Sequence, residues 1–514
     1  MAKPGRPRVA ATVIAFLATA IGLFSSSMLA VAAVPIGKEF QVPVDRLTAY
    51  SFLPAAGALA IVFVTASFVS RWGVRRVVIA ASTVSAVGAA VILLAESNAM
   101  VTFGQFIGKI GFTALSVAGL TLLQTLYVDP KERARAFGAL AALAPLSFLV
   151  VPVLAGLIID NTTWRVIPLL MGVAAAALGG WTLLHRDIPD GPRERTHLVT
   201  PIVAGLSLAV LTAAAALFGI DTRLAVGMLV VAVLLFITAV ILARRTADSG
   251  FSFAAITRPG AGWFAGATFL VAAVGLAYYV TVLLHVRFQL SSTTTALWMI
   301  LPQASGIAGS FFGGWLSARI GAVRSTVLLL LTTAGAYLLF LRVDEPTGAW
   351  YPVLVATLAF FPIAGTVGPM TQVFVSTAPP DGAANASAWR EALRILGANA
   401  GGALVAVLLF ANLQGSLERA LEVRGLSVQE ATAVAQLLRS GTSPQQIFER
   451  YPNAAKPLVQ AGISGTNPTA RNEARTDAIG FAGVVASIVL AASAGMIVIG
   501  ERRRRRRSVP MPSA

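Results

Sequence analysis

No cysteine occurs in the 514 residues, and charge is scarce, with Lys, Arg, Asp and Glu together making up 12% of the chain. A soluble domain carries roughly twice that share. The missing thiols exclude a disulfide-stapled fold and a thiolate metal or redox centre. Three histidines leave little material for a metal site, and no GxxxxGK[ST] loop is present to cradle a nucleotide. Negative charge is the scarcest of all: 22 acidic residues stand against 39 basic ones, for a net charge of +17. The space is filled by hydrophobic residues, 56% of the chain, at a mean hydropathy of +0.78. That richness excludes a disordered chain and implies an all-α polytopic membrane protein.

A spanning helix takes about 20 mostly apolar residues, because every backbone group must be bonded within the segment. Stretches free of Lys, Arg, Asp and Glu run 9–37, 47–70, 77–95, 97–128, 136–159, 166–185, 196–220, 224–243, 259–286, 288–318, 325–341, 346–380, 395–416 and 478–500, with Lys109 the single interruption. None shows the alternation of a barrel strand, so fourteen transmembrane helices are expected. The first stretch, at 29 residues, exceeds the roughly 7–15 apolar residues of a cleaved leader and reads as an uncleaved first helix. Counted by alternate connections, 25 of the 39 basic residues fall on one side, including six in the run Arg502 to Arg507. By the positive-inside rule that side is cytoplasmic and holds both termini. The arginine run directly follows an apolar stretch, so it is expected to meet anionic inner-leaflet lipids rather than nucleic acid.

The chain divides into an N-terminal part (1–195), a helix pair (196–258) and a C-terminal part (259–514), the last carrying an outward loop over 412–477 and a basic tail over 501–514. Within the loop, Ser427 and Glu430 fit a capping box, and Ser443-Pro444 fits a second helix start. An internal repeat links the two large parts. Arg71-Trp-Gly73-Val-Arg75 follows the second stretch and Arg319-Ile-Gly321-Ala-Val-Arg324 follows the tenth. Duplicated transporter folds carry such echoes, and each turn needs glycine for its backbone and cations to hold it inside.

These features resemble the major facilitator superfamily, and in particular its fourteen-spanner drug:proton antiporter branch of multidrug efflux type. The two glycine-arginine loops resemble the family's gating-loop motif and its second-half echo. The fifth stretch, with Gly138, Pro145, Pro152 and Gly156 before Trp164-Arg165, is similar to the exporter motif. Ala33-Val34-Pro35 resembles the end of the family's first helix, and Arg394-Ile-Leu-Gly397-Ala-Asn-Ala-Gly401 its thirteenth. The resemblance implies two six-helix halves with an inserted pair, in a bacterial cytoplasmic (inner) membrane. It also implies alternating-access efflux of small hydrophobic or amphiphilic compounds, coupling to protons, and no cofactor. This chain departs from the pattern where Ser26 replaces an aspartate of the first helix, Gln105 an arginine of the fourth, and Ser70 and Ala318 the acidic residues of the loops.

Lys109 is the one charge deep in the first half, about 12 residues or ~18 Å into its helix. A lysine at that depth costs at least about 2.5 kcal/mol unless it meets water or a partner. Gln105 lies one turn away on the same face. The pair is a candidate for binding an anionic group or for coupling, with a lysine reaching toward the surface as the alternative. Arg390, Glu391 and Arg394 open the thirteenth helix; Glu391 and Arg394, three apart, can pair on one face, and Glu391 is the candidate proton site, with a helix-start charge cluster at the cytoplasmic rim as the alternative. His285 is a candidate titrating residue, with an interfacial histidine close to Arg287 as the alternative, and Tyr278, Tyr279, Phe312, Phe360 and Phe361 are candidate pocket-lining aromatics, with packing or interface-belt residues as the alternative. Other cargoes (an anionic metabolite, siderophore or lipid engaging Lys109) and a non-transporting receptor or scaffold are the alternative functions. A periplasmic adaptor is a candidate partner for the outward loop.

Overall fold

The computed structural model describes residues 6–41, 44–185, 197–217, 222–245, 251–274, 280, 284, 292–342, 348–375, 382–422, 425–439, 447, 449–454 and 469–508. Among them there is no strand. The first part contributes α1 (Arg6–Glu39), α2 (Val44–Trp72), α3 (Val74–Leu93), α4 (Asn98–Leu126), α5 (Pro130–Ala141), α6 (Leu143–Asn161) and α7 (Val166–Leu184). The pair is α8 (Val199–Leu217) and α9 (Thr222–Arg245), followed by the single turn α10 (Ala254–Thr257). The last part contributes α11 (Ala261–Ala273), α12 (Ser292–Trp298), α13 (Ile300–Ile320), α14 (Ala322–Leu338), α15 (Trp350–Val375), α16 (Ala383–Glu422), α17 (Val428–Arg439) and α18 (Thr469–Ser508). Nine described helical segments are long and apolar enough to cross a membrane, and three shorter apolar helices accompany them. The chain is a polytopic helical membrane protein.

Tight helix contacts follow from small residues, since lipid offers no hydrophobic drive for helices to associate and backbones must approach closely. A Cβ on Gly88 would strike the Gly108 backbone of α4, which sets α3 against α4. Gly309 and Gly313 of α13 abut the carbonyls of Phe361 and Gly365 on α15, and Gly397 and Gly401 of α16 abut those of Phe269 and Ala273 on α11. Gly205 of α8 rests on the Ala60 carbonyl of α2, so the inserted pair packs beside the first half. An aromatic cluster ties it further: Phe251 and Phe253, just after α9, meet Trp389 of α16 at 5.6 and 5.7 Å. Phe63 of α2 meets Trp389 at 4.7 Å.

The repeat is visible in the backbone. Gly73 stands at φ 83°, ψ 158° and Gly321 at φ 87°, ψ 152°, a region essentially reserved for glycine. Each donates its amide to the carbonyl four residues back, Gly73 to Val69 at 2.9 Å and Gly321 to Ser317 at 3.0 Å. Each then opens the next helix. The two turns are conformational copies.

Several boundaries differ from the sequence expectation. The fifth apolar stretch starts earlier, at Pro130, because the Asp129 carboxylate caps the Glu132 amide at 3.0 Å and proline suits the first helical position. Lys131, Arg133 and Arg135 therefore lie on helix α5 rather than in a connection. That stretch also breaks at Ala142, where Pro145 cannot donate to the Ala141 carbonyl. The loop expected over 412–477 is shorter, since α16 continues to Glu422 and α18 begins at Thr469. Gly425 (φ 97°) ends α16 in a Schellman turn, with Leu426 N–H bonded to the Leu421 carbonyl at 3.1 Å and the two leucines buried together. The Ser427–Glu430 capping box forms, with the Ser427 hydroxyl 2.7 Å from the Glu430 carboxylate. Ser443 and Pro444 lie outside the described residues.

Candidate functional site

Three regions along the axis of the fold bear on function. Arg71, Arg75, Arg319 and Arg324 mark one end of the fold, the basic end.

Midway along the fold, Glu391 of α16 is 3% exposed. Burial of a carboxylate demands compensation, and two arginines of the same helix supply it. Arg394 grips it in a fork, Nη2 to Oε1 at 2.6 Å and Nε to Oε2 at 3.0 Å. Arg390 adds a bond to Oε2 at 3.1 Å. Across the interface, half-buried Lys109 of α4 lies within electrostatic range of both Arg394 and Glu391. The fold thus gathers three cations and one carboxylate from opposite halves, a net positive centre. Gln105 lies one turn from Lys109 and is also half-buried. Ser26 falls on α1, and its side chain lies outside the described residues, as do His285, Tyr278 and Tyr279.

Toward the basic end the halves touch. Gly138 of α5 faces Gly314 of α13, where a Cβ would sit 2.7 Å from the opposing Cα. A Cβ on Gly368 of α15 would lie 3.0 Å from Gly138. Pro145 abuts Gly306 on the same seam. Two amides cross it: Gln124 of α4 donates to the Val375 carbonyl at 3.4 Å, and Gln372 of α15 donates to the Pro130 carbonyl at 3.2 Å. Gln372 also accepts from Ser317 at 3.0 Å. No motif marks either glutamine; the available signal is an amide inside an apolar stretch, which must find a partner. Pro152 and Gly156 lie away from the seam, and a Cβ on Gly156 would meet nothing within 4 Å.

Among the loop-motif residues, Arg75 caps the end of α7. Its Nη2 donates to the Leu183 carbonyl at 2.8 Å, and its Nε lies 3.2 Å from those of Thr182 and His185. These are helix-terminal carbonyls without intrahelical donors. Arg71 and Arg319 are exposed, and Arg319 lies 4.4 Å over the Trp315 ring.

At the opposite end Glu39 closes a clasp within the first half. It accepts from Trp164 Nε1 at 2.5 Å and Arg165 Nη1 at 2.7 Å. Arg165 also donates to the Ala95 carbonyl at 2.9 Å. The hydrogen bond from Trp164, then that from Arg165, holds the Glu39 carboxyl below its ordinary value.

A duplicated set of apolar helices, closed at one end by glycine seams and crossed midway by opposed charged groups, defines a polytopic membrane transporter rather than an enzyme. Residues 15–402 match the Major Facilitator Superfamily, and the chain belongs to that family. It is 26% identical over 430 residues to the multidrug resistance protein Stp of Mycobacterium tuberculosis, covering 79% of this chain and 78% of that one. It is 29% identical over 255 residues to the puromycin resistance protein pur8 of Streptomyces alboniger, covering 46% and 48%. The human organic anion transporter MFSD10 (TETRAN) shares the fold, with a TM-score of 0.58 at 15% identity, over 95% of this chain and 100% of that one.

Proposed function

We propose that the chain is a secondary active exporter of hydrophobic or amphiphilic compounds, driven by the proton gradient. It works by rocking two six-helix halves (1–195 and 259–514) around the inserted pair 196–258. In this reading fourteen helices cross the bacterial cytoplasmic membrane, and both termini and the basic end face the cytoplasm. The names of the resistance relatives support the cargo class. The observation that carries the reading is the set of opposed charged groups midway along the fold: Lys109 from one half, and Glu391 with Arg394 from the other. Rocking the halves changes the distance between them, so a ligand or proton that alters this cluster biases the equilibrium between states.

Glu391 is the proposed coupling site. A proton on Glu391 competes with the Arg394 fork and removes the cluster's one negative charge, so Arg394 and Lys109, both cations, repel across the interface unless an anionic group of the cargo takes the carboxylate's place. Because the cluster is net positive, an anionic cargo bound by Lys109 and Arg394 is the second reading. The outward loop, with its own small core around Leu421, Val434 and Ile447, offers a docking surface for a periplasmic adaptor.

Efflux of a dye panel (cationic, neutral and anionic) from cells producing wild type, Lys109→Ala or Glu391→Gln tests the proposal. Both variants lose uncoupler-sensitive efflux if the cluster is the site. Wild-type efflux rates in both would remove the cluster from the mechanism.

A further inference from the structure

Two cavities open at the basic end, on either side of α5. The first, about 400 Å³, is lined by Arg133, Arg324, Arg504 and Arg505 together with Glu501. Its charge is partly compensated from within, since Glu501 pairs with Arg504 at 3.1 Å and Arg505 at 2.7 Å. The second, about 410 Å³, is lined by Lys131, Arg135, Trp315, Ala318 and Arg319. Three cations line it and, among the described residues, no carboxylate does.

The surroundings of the second cavity say what it fits. Phe311, Trp315 and Arg319 follow one another at four-residue spacing on α13, which sets them in a row along one face. Phe311 and Trp315 are exposed, as are Phe312 beside them and Ile320 beyond. On a spanning helix an exposed aromatic row lies against acyl chains, and a cation at its end sits at headgroup level. The opposite wall is α5, where Lys131 and Arg135 stand one turn apart and are both exposed. The walls therefore come from the two halves of the chain.

We propose that this cavity binds the phosphodiester headgroup of an anionic phospholipid. Arg319 and Arg135 donate to the phosphate, Lys131 adds charge, and an acyl chain lies along Trp315 and Phe311. A free phosphate would gain nothing from the apolar row, whereas a lipid uses both parts. Since a headgroup seated here is held by both halves, anionic lipid favours the arrangement in which they approach at the basic end. The site is separate from the arginine tail and does not depend on the transported cargo.

The test is lipid retention by the purified full-length protein, read by native mass spectrometry with phosphatidylglycerol and phosphatidylcholine offered in equal amounts. Wild type prefers phosphatidylglycerol. Each cation near an anionic headgroup is worth about fivefold in affinity, so Arg135→Gln lowers the preference about fivefold and Arg135→Gln with Arg319→Gln about 25-fold. Arg135→Lys with Arg319→Lys retains most of it, and neutralising Arg502 to Arg505 leaves this bound lipid in place. The proposal is overturned if the single and double glutamine variants, eluting as folded protein, hold phosphatidylglycerol as wild type does. It is also overturned if millimolar inorganic phosphate displaces the lipid, because the site would then be one for soluble anions.

Discussion

Replacing Gly138 by valine perturbs the seam between the halves at its tightest point. A Cβ there would stand 2.7 Å from the Gly314 Cα and 3.0 Å from the Ser310 carbonyl oxygen. Carbon atoms rest at about 3.5–4.0 Å, so the halves must part by about 1 Å, and both neighbours are backbone that cannot swing aside. Overpacking of this kind costs about 1–3 kcal/mol. Charged against the state in which the basic end is closed, that shifts the balance of states about 5- to 150-fold. The chain has no native cysteine, so a single Val323→Cys reporter, lining the cavity at that end, reads the opening as a maleimide labelling rate. Gly138→Val is expected to raise the rate at least fivefold. Gly156→Val serves as the control, since a Cβ there meets nothing within 4 Å. Equal labelling in wild type and Gly138→Val, with both proteins folded, would refute the reasoning.

Gly321→Ala is expected to lower stability by about 1–3 kcal/mol through backbone conformation alone, because its Cβ would meet no atom within 4 Å; the shift in thermal midpoint measures it. Trp389→Ala removes the centre of the Phe63–Phe251–Phe253 cluster and a hydrogen bond from Nε1 to the Ser252 carbonyl at 3.0 Å. A loss of about 3–5 kcal/mol is expected by the same measurement. Glu39→Gln tests the clasp with Trp164 and Arg165. The carboxyl is held below its ordinary value of 4.5, so its contribution is fully present above about pH 5 and disappears as pH falls through the lowered folded value. The side chain is 38% exposed, which limits the effect to about 1 kcal/mol or less. The melting temperatures of wild type and Glu39→Gln should differ by a constant amount from pH 5 to 8 and converge below pH 4.

The helices were legible because the membrane forbids charge, so the gaps between charged residues mark them. The glycine turns were legible because Gly73 and Gly321 recur beside arginines, and one conformation demands glycine in both. The pairing of Glu391 with Arg394 followed from helical spacing. What escaped depends on tertiary pairing. Gly314 and Gly368 read as ordinary small residues in apolar stretches, and Gly138 as one residue of the exporter motif, until the halves are brought together. Lys109 and Arg394 belong to opposite halves, and no periodicity reports their approach. Counting cations between apolar stretches places Lys131 and Arg135 in a connection, whereas Asp129-Pro130 starts a helix that carries both, and the cavity they line with Arg319 exists only where that helix meets α13.

Glu391, facing Lys109, carries the coupling of the proposed proton-driven exporter. The most direct measurement is transport by the purified chain in proteoliposomes, with the pH gradient and the membrane potential imposed separately and a fluorescent amphiphile as cargo. Cargo movement driven by the pH gradient is expected in wild type and is lost in Glu391→Gln, with both proteins equally reconstituted. Movement that ignores the pH gradient, or a Glu391→Gln variant that follows it as wild type does, would contradict this coupling.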